Sequence, residues 1–215
     1  MPLSERSRRS GRFIASLIAA AVVGGIAVWF IVTRSTPRDD SAEAGFARDM
    51  ATHHAQAVEM AFIVRDTSVD EALRARAYDV IVTQSTQRGV FLGWLQEWGL
   101  PQASSAPRMA WMPGHSPIPQ QAGGGLPLMH GMASDDELRR LREAAGSDAE
   151  ILFLQLMIRH HEGGVIMARA VEGLSRRADV LGFAKGIDSS QRVEIVAMTE
   201  MLARRGARPY QSLLD

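Results

Sequence analysis

Imidazole and thioether side chains occur together twice in this chain, in two copies of one short motif. Residues 50–54 (Met-Ala-Thr-His-His) recur as residues 157–161 (Met-Ile-Arg-His-His), and a Met-Ala pair follows each copy at the same distance. The chain has no cysteine. Thioether ligands select Cu(I) over harder cations. The doubled motif therefore predicts a metal site, with copper as Cu(I) the first candidate and another transition metal the alternative.

The spacing within each copy suits one face of a helix. Residues four apart share a face, so Met50 and His54 can converge, whereas the adjacent His53 and His54 diverge by about 100°. If the two copies face each other in a pseudo-twofold bundle, they form one site or two between helices. The ligand candidates are His53, His54, His160, His161, Met50, Met60, Met157 and Met167.

The motif differs from that of di-iron bundles at one position. Those proteins place a Glu three residues before each His, whereas here Met50 precedes His53 and Met157 precedes His160. A soft ligand replaces the hard one, which disfavours di-iron chemistry. Core packing is the alternative for each methionine taken singly, because methionine commonly fills gaps on an apolar helix face.

A second group of methionines and histidines lies in a segment rich in proline and glycine, between residues 100 and 133. This segment is expected to be an irregular crossover. Its ligand-forming residues predict a secondary metal site, and a cover over an apolar groove is the alternative. They are Met109, Met112, His115, Met129, His130 and Met132.

The repeat extends well beyond the motifs. Sliding the chain by 107 residues aligns both motifs without a gap, and it also aligns Gln84 with Gln191. These amides have two possible roles: they form hydrogen bonds that orient the imidazoles, or they are polar residues on the helix surface. The repeat predicts an all-α fold in which two helical hairpins form a four-helix bundle. We expect helices from about residue 42, over 69–98, from 134, from 147, and over 179–205.

The first 33 residues have the pattern of a membrane anchor. Four arginines in residues 1–12 precede an uncharged apolar run over 13–32, about the length that crosses a ~30 Å hydrocarbon core. Signal-peptide apolar regions are shorter and end at small-residue cleavage sites. The pattern predicts an uncleaved transmembrane helix at 13–33, with the N-terminus in the cytoplasm and the bundle outside.

The expected organisation follows from these elements. It is a cytoplasmic basic segment (1–12), the anchor (13–33), a linker (34–41), the bundle domain (42–206) and a C-terminal tail (207–215). Within the bundle domain we expect hairpin one (42–99), the Met/His-rich crossover (100–133) and hairpin two (134–206).

Composition excludes several classes of function. A formal net charge of zero gives no electrostatic case for nucleic acid. The lack of cysteine excludes disulfides, thiolate metal sites and Cys-attached haem.

The sequence shows no evident catalytic base, nucleophile or phosphate loop. This favours metal sequestration or handover over catalysis, with a copper-handling protein as the partner. The alternatives are a copper- or iron-dependent oxidase, a haem-binding bundle and a structural bundle that binds a partner; oligomeric state stays open.

The chain resembles the bacterial "domain of unknown function 305" family from about residue 42 to 206. The resemblance rests on the two Met-x-x-His-His helices with their Met-Ala pairs, on Gln191-Arg192-Val193-Glu194-Ile195, and on the Met-rich crossover at 109–132. It implies a ferritin-like four-helix fold, a bacterial extracytoplasmic location and, as in some members, copper binding through the motif histidines and methionines. The first repeat departs from the pattern after Gln84, where it lacks the Glu-Ile pair.

Overall fold

The structure is a computed structural model that describes residues 16–26, 29, 36–114 and 129–214. The chain divides into two units, Met1–Arg38 and Asp39–Asp215. In the first unit, residues 16–26 are helical. None of the helices in the described residues combines the length and the apolar character that a membrane span requires. Much of the anchor predicted at 13–33 lies outside the described residues.

The second unit is helical, and no strand occurs in its described residues. The all-α fold class predicted from the sequence is confirmed. α1 packs along α2, α4 packs along α5, and α1 and α4 meet in the middle, while α3 rests on both. Each helix that carries a motif therefore forms a hairpin with a partner helix. The helices are α1 (Ala42–Thr67), α2 (Glu71–Glu97), α3 (Asp135–Glu143), α4 (Gly146–Leu174) and α5 (Ala178–Arg204).

The starts of α3 and α4 differ in how their backbone N–H groups are satisfied. α3 begins with a capping box, in which Glu137 N donates to Ser134 Oγ at 3.2 Å and Ser134 N donates to Glu137 Oε2 at 2.8 Å. Residues 147–150 (Ser-Asp-Ala-Glu) have the sequence form of a second capping box, but the start of α4 has no side-chain cap. The carboxylate it needs belongs to Glu150, which instead accepts from Arg205 Nε at 2.9 Å.

Two equivalent hydrogen bonds hold α1 and α4 antiparallel. Ser175 Oγ donates to Glu43 Oε1 at 2.7 Å, and Ser68 Oγ donates to Glu150 Oε1 at 2.5 Å. Each bond joins a glutamate near the start of one helix to the residue that caps the end of the other. Both serines and both glutamates are related by the same 107-residue offset. The two hairpins are therefore related by a pseudo-twofold axis that passes between α1 and α4.

The crossover returns across α4 where that helix carries a glycine. A Cβ on Gly163 would overlap the carbonyl oxygen of His130, and a Cβ on Gly131 would overlap the carbonyl oxygen of Arg159. Gly131 has a φ of 76°, which glycine adopts without steric cost. Backbone thus packs directly on backbone, and this contact places residues 129–132 on the middle of the bundle.

Changing Gly163→Ala is expected to lower the free energy of unfolding by about 1–3 kcal/mol, because the added methyl group meets backbone atoms that cannot rotate away. Gly186→Ala is the matched control in α5, since no atom lies within 4 Å of its added Cβ. Alanine there should stabilise the helix by up to about 1 kcal/mol. Urea unfolding measures both variants. Equal stability of the two would show that the crossover does not press on α4.

Candidate metal centre

The inner histidines of the two motifs lie against each other where α1 meets α4. The ring centroids of His53 and His160 are 3.7 Å apart, with planes inclined by 31°. His54 and His161 lie outward, and each ring centroid is 6.4 Å from that of its sequence neighbour. All four side chains are 0% exposed. The structure therefore brings the four imidazoles together in the centre of the core.

Each outer histidine is hydrogen-bonded to the second helix of its own hairpin. His54 Nε2 donates to Gln87 Oε1 of α2 at 2.8 Å, and His161 Nε2 donates to Glu194 Oε2 of α5 at 2.6 Å. Gln87 and Glu194 are 107 residues apart in the sequence. Equivalent positions of the two repeats thus hold a neutral amide and a carboxylate.

These hydrogen bonds fix which ring nitrogen carries the proton. A backbone carbonyl or carboxylate oxygen only accepts, so Nε2 is the donor in His161 and in His53, whose Nε2 lies 3.1 Å from the carbonyl oxygen of His130. Nε2 is also the donor in His54 when Gln87 faces it with its amide oxygen, as in this structure. In the neutral rings the lone pair is then on Nδ1. None of these three Nδ1 atoms, and neither ring nitrogen of His160, has a hydrogen-bond partner among the described residues. An unpartnered buried polar atom is costly, and a nitrogen lone pair can bind a metal.

Burial keeps three of the imidazoles neutral, because a charged ring would lose its hydration. It lowers the pKa of His53 and of His54 from 6.5 to about 3, and it lowers the pKa of His160 well below its ordinary value. Burial raises the pKa of Glu194, but the hydrogen bond from His161, together with the more distant charge of Arg76, outweighs it and holds that pKa below its ordinary value. The centre therefore combines the neutral imidazoles of His53, His54 and His160 with the ionised carboxylate of Glu194.

We expect the metal-free protein to lose stability as the pH falls from 6.5 towards about 3. In this window an unfolded imidazole binds a proton and a buried one does not, so protonation favours unfolding. Each imidazole with a lowered pKa contributes a slope of about 1.4 kcal/mol per pH unit. Urea unfolding at pH 7 and pH 5 measures the loss. A variant with leucine at all four motif histidines should show a shallower slope, and equal slopes would contradict the burial of neutral rings.

The methionines of the motifs divide between two clusters on either side of the stacked rings, because α1 and α4 run antiparallel. One cluster contains Met60 and Met157, and the other contains Met50 and Met167. Each cluster thus receives one thioether from each motif. Since His54 follows Met50 by one helical turn and His161 follows Met157 in the same way, each cluster also has its own outer histidine.

The crossover adds its methionines to one of these clusters only. All four of its described methionines are buried and lie with Met50 and Met167. His115 lies outside the described residues, and His130 supplies its backbone carbonyl to His53. We call the clusters the crossover side and the helix side. The crossover side has Met50, Met109, Met112, Met129, Met132 and Met167; the helix side has Met60, Met157, Met198 and Met201.

Asp49 fastens the crossover to α1. Its Oδ2 accepts from the backbone N–H of Met109 at 2.7 Å and from Trp111 Nε1 at 2.8 Å. The Trp111 ring lies against Gly45, where a Cβ would overlap it. A cavity of about 400 Å³ borders Asp49 and Trp111, and none of the four motif histidines lines it. Met109 and Trp111 are therefore held in place by contacts that do not involve the imidazoles.

Gln84 and Gln191 are buried, each 2% exposed, and their amide atoms have no hydrogen-bond partner among the described residues. Neither amide reaches an imidazole, and Gln191 Oε1 lies against Gly164. Sequence reasoning missed Gln87 and Glu194, which do contact imidazoles. The signal that could have found them is the same 107-residue offset, because these residues lie three positions further along α2 and α5.

The donor set fits a soft cation. In the described part of the chain, no group of three or more His, Asp or Glu side chains is arranged to hold a metal ion. The motif methionines are buried and divide between the two clusters, two in each. Thioethers and neutral imidazoles together suit Cu(I).

Comparison with models of known protein families assigns the chain to one family. The sequence model described as "Domain of unknown function (DUF305)" matches residues 43–202. The chain belongs to the DUF305 family. The resemblance drawn from the two motifs is thereby confirmed. No curated protein is significantly similar to the chain.

Solved structures share this DUF305 fold. A DUF305 protein from Streptomyces coelicolor, described as a candidate secreted protein, is 44% identical with a TM-score of 0.73, and the match covers 81% of this chain and 99% of that one. A DUF305 fragment from Deinococcus radiodurans is 32% identical with a TM-score of 0.62, covering 76% and 96%. CopM in its Cu(I)-bound form is 21% identical with a TM-score of 0.58, covering 76% and 96%. At that identity CopM shows the fold alone.

Proposed function

We propose that this DUF305 protein binds Cu(I) through its motif histidines and methionines and holds it for sequestration or handover. The observation that carries the proposal is the set of buried Nδ1 atoms without partners, in rings whose protons are held at Nε2. A metal-bound imidazole usually donates its other N–H to a carboxylate or a carbonyl. His161 does so to Glu194, and His53 does so to the carbonyl of His130.

The centre comprises two half-sites on either side of the stacked rings of His53 and His160. In the crossover half-site, His54 would bind with the thioethers of the crossover side. In the helix half-site, His161 would bind with those of the helix side. The inner histidines, whose ring centroids are 6.4 Å from those of their outer neighbours, would complete the two half-sites. When bound, copper supplies a soft cation that suits imidazole and thioether donors.

Burial favours retention of the metal over turnover. All four motif histidines are fully buried, whereas an oxidase needs a coordination position that a dissolved substrate can reach. The haem alternative would need the inner rings apart, because centroids 3.7 Å from each other leave no space for a macrocycle between them. CopM has the same fold and is solved in Cu(I)-, Cu(II)- and silver-bound forms, which supports copper as the cargo.

Competition with a chromogenic Cu(I) chelator tests this proposal. The full-length protein without a His tag is titrated under anaerobic conditions, and it should withdraw two equivalents of Cu(I), one for each half-site. Zn²⁺ in place of Cu(I) is the control, since it does not share the preference of Cu(I) for thioether ligands and should be held more weakly. Failure to withdraw Cu(I) from the chelator would refute the proposal.

We also propose that the bundle lies outside the cytoplasm and is tethered by an uncleaved helix at 13–33. The uncharged run, the four preceding arginines and the secreted description of the Streptomyces coelicolor relative support this. The mature protein is expected in the membrane fraction, with an N-terminus that precedes residue 13. Edman sequencing that begins at residue 36 or later would show instead that the segment is removed.

A further inference from the structure

The two half-sites are equivalent by the pseudo-twofold axis but differ in one charge. The acceptor for His54 is the amide of Gln87, and the acceptor for His161 is the carboxylate of Glu194. Glu194 has no arginine ion-pair partner among the described residues. Arg76 of α2 influences it only through longer-range charge and pairs with Asp79 at 3.6 Å.

We propose that Glu194 makes the helix half-site the tighter one, which fills first, and that Gln87 leaves the crossover half-site weaker, so that it fills second. This inference rests on the proposed function, namely that the motif histidines bind Cu(I). It assigns Glu194 as a positioning residue that acts on the metal through His161, and Gln87 as its uncharged counterpart acting through His54.

Two physical effects separate the carboxylate from the amide. A carboxylate only accepts, so it fixes the proton on Nε2 of His161, whereas the amide of Gln87 can also present its NH₂ group to His54. An anion bonded to the N–H raises the basicity of the ligating nitrogen. Its charge also attracts a cation strongly in a buried setting of low dielectric constant.

The thioethers alone predict the opposite order. The crossover side has six methionines and the helix side has four, so a ranking by the number of soft ligands would fill the crossover half-site first. The charge of Glu194 outweighs this difference, because a metal ion binds only a few ligands at a time and six thioethers cannot all contribute at once.

The chain offers matched variants for the test. Glu194→Gln keeps the size and the hydrogen bond and removes the charge, and Gln87→Glu makes the reverse change. The double variant exchanges the two environments at constant composition. Stepwise Cu(I) affinities are measured on the full-length protein by chelator competition, and ¹⁵N ring signals identify which histidine responds first.

In the native protein the signals of His161 should shift before those of His54. Glu194→Gln should weaken the first step by about 10–100-fold, and Gln87→Glu should strengthen the step assigned to His54. In the double variant the order should reverse. Ring signals of the metal-free Glu194→Gln protein give a readout without copper, and they should show the Nε2 proton of His161 less firmly held than in the native protein.

The outcomes separate this inference from the proposed function. If the native protein binds Cu(I) but the exchange leaves the order unchanged, Glu194 does not set the order and only this inference is overturned. If the native protein binds no Cu(I), both fail. If Glu194→Gln does not fold, the Gln87→Glu variant provides the test. An unchanged Cu(I) affinity at the step assigned to His54 would show that the added charge does not strengthen binding, and the inference would be overturned.

Discussion

Replacing His53, His54, His160 and His161 together with leucine is expected to weaken Cu(I) binding by more than about 100-fold, beyond the usual cost of losing a group that only orients a ligand. All the imidazole ligands of both half-sites are lost at once. Leucine has a volume close to that of histidine, and each position is buried, so the helices should persist. Chelator competition measures the affinity, and circular dichroism checks the fold.

The control for this variant keeps the imidazoles and changes a buried polar group beside them. Gln84→Leu removes an amide that has no hydrogen-bond partner among the described residues, and it should leave Cu(I) affinity within a few fold of the native value. Unchanged affinity in the histidine variant, with the helices intact, would show that copper does not bind at the stacked rings.

Replacing the four crossover methionines with leucine is expected to remove one of the two Cu(I) equivalents and to leave the tighter one. The four are Met109, Met112, Met129 and Met132. Their thioethers belong to the crossover side, whereas the helix half-site keeps His161, Glu194 and its own methionines. Exchanges of Leu for Met conserve volume and usually cost less than about 1.5 kcal/mol each. Metal analysis after gel filtration gives the stoichiometry.

The helix side provides the matched comparison. Changing Met60→Leu and Met157→Leu should remove the tighter equivalent and leave the weaker one, since both residues belong to the helix side and Met157 precedes His161 by one helical turn. If the crossover variant instead lost the tighter equivalent, the crossover would be the primary site, and the roles given to the two sides would be reversed.

Much of the fold could be predicted because residues of the same type recur at a fixed offset along the chain. The 107-residue offset that aligns the motifs also relates Ser68 to Ser175 and Glu43 to Glu150, which tie α1 to α4 in the structure. The start of α4 could not be predicted in the same way. Glu150 has the spacing of a capping residue, but its carboxylate is taken by Ser68 and Arg205, and such long-range competition is invisible in a local pattern.

The surroundings of the imidazoles were only partly predictable. Gln84 and Gln191 stand in register, yet the amides lie apart from the rings, and the contacts come from Gln87 and Glu194. A shift of three residues along a helix decides which side chain faces an imidazole, and composition does not reveal it. The carbonyl of His130 was also hidden, because a backbone acceptor has no signature in residue type.

The position of the crossover on the bundle is decided by long-range contacts that a single sequence motif does not reveal. Its methionines were visible as potential ligands, but nothing in their spacing indicated that they would join Met50 and Met167. The deciding features are Gly163, which lets the backbone of His130 approach α4, and Asp49, which binds Met109 and Trp111.

X-ray absorption at the copper K-edge of the Cu(I)-loaded full-length protein tests the central claim most directly, because it identifies the ligand atoms themselves. We predict that both nitrogen and sulfur scatterers surround the metal, with imidazole outer-shell features that disappear in the four-histidine variant. We also predict that the sulfur contribution falls in the crossover variant. A spectrum with oxygen and nitrogen scatterers alone, unchanged by either set of substitutions, would contradict a buried histidine–methionine copper centre.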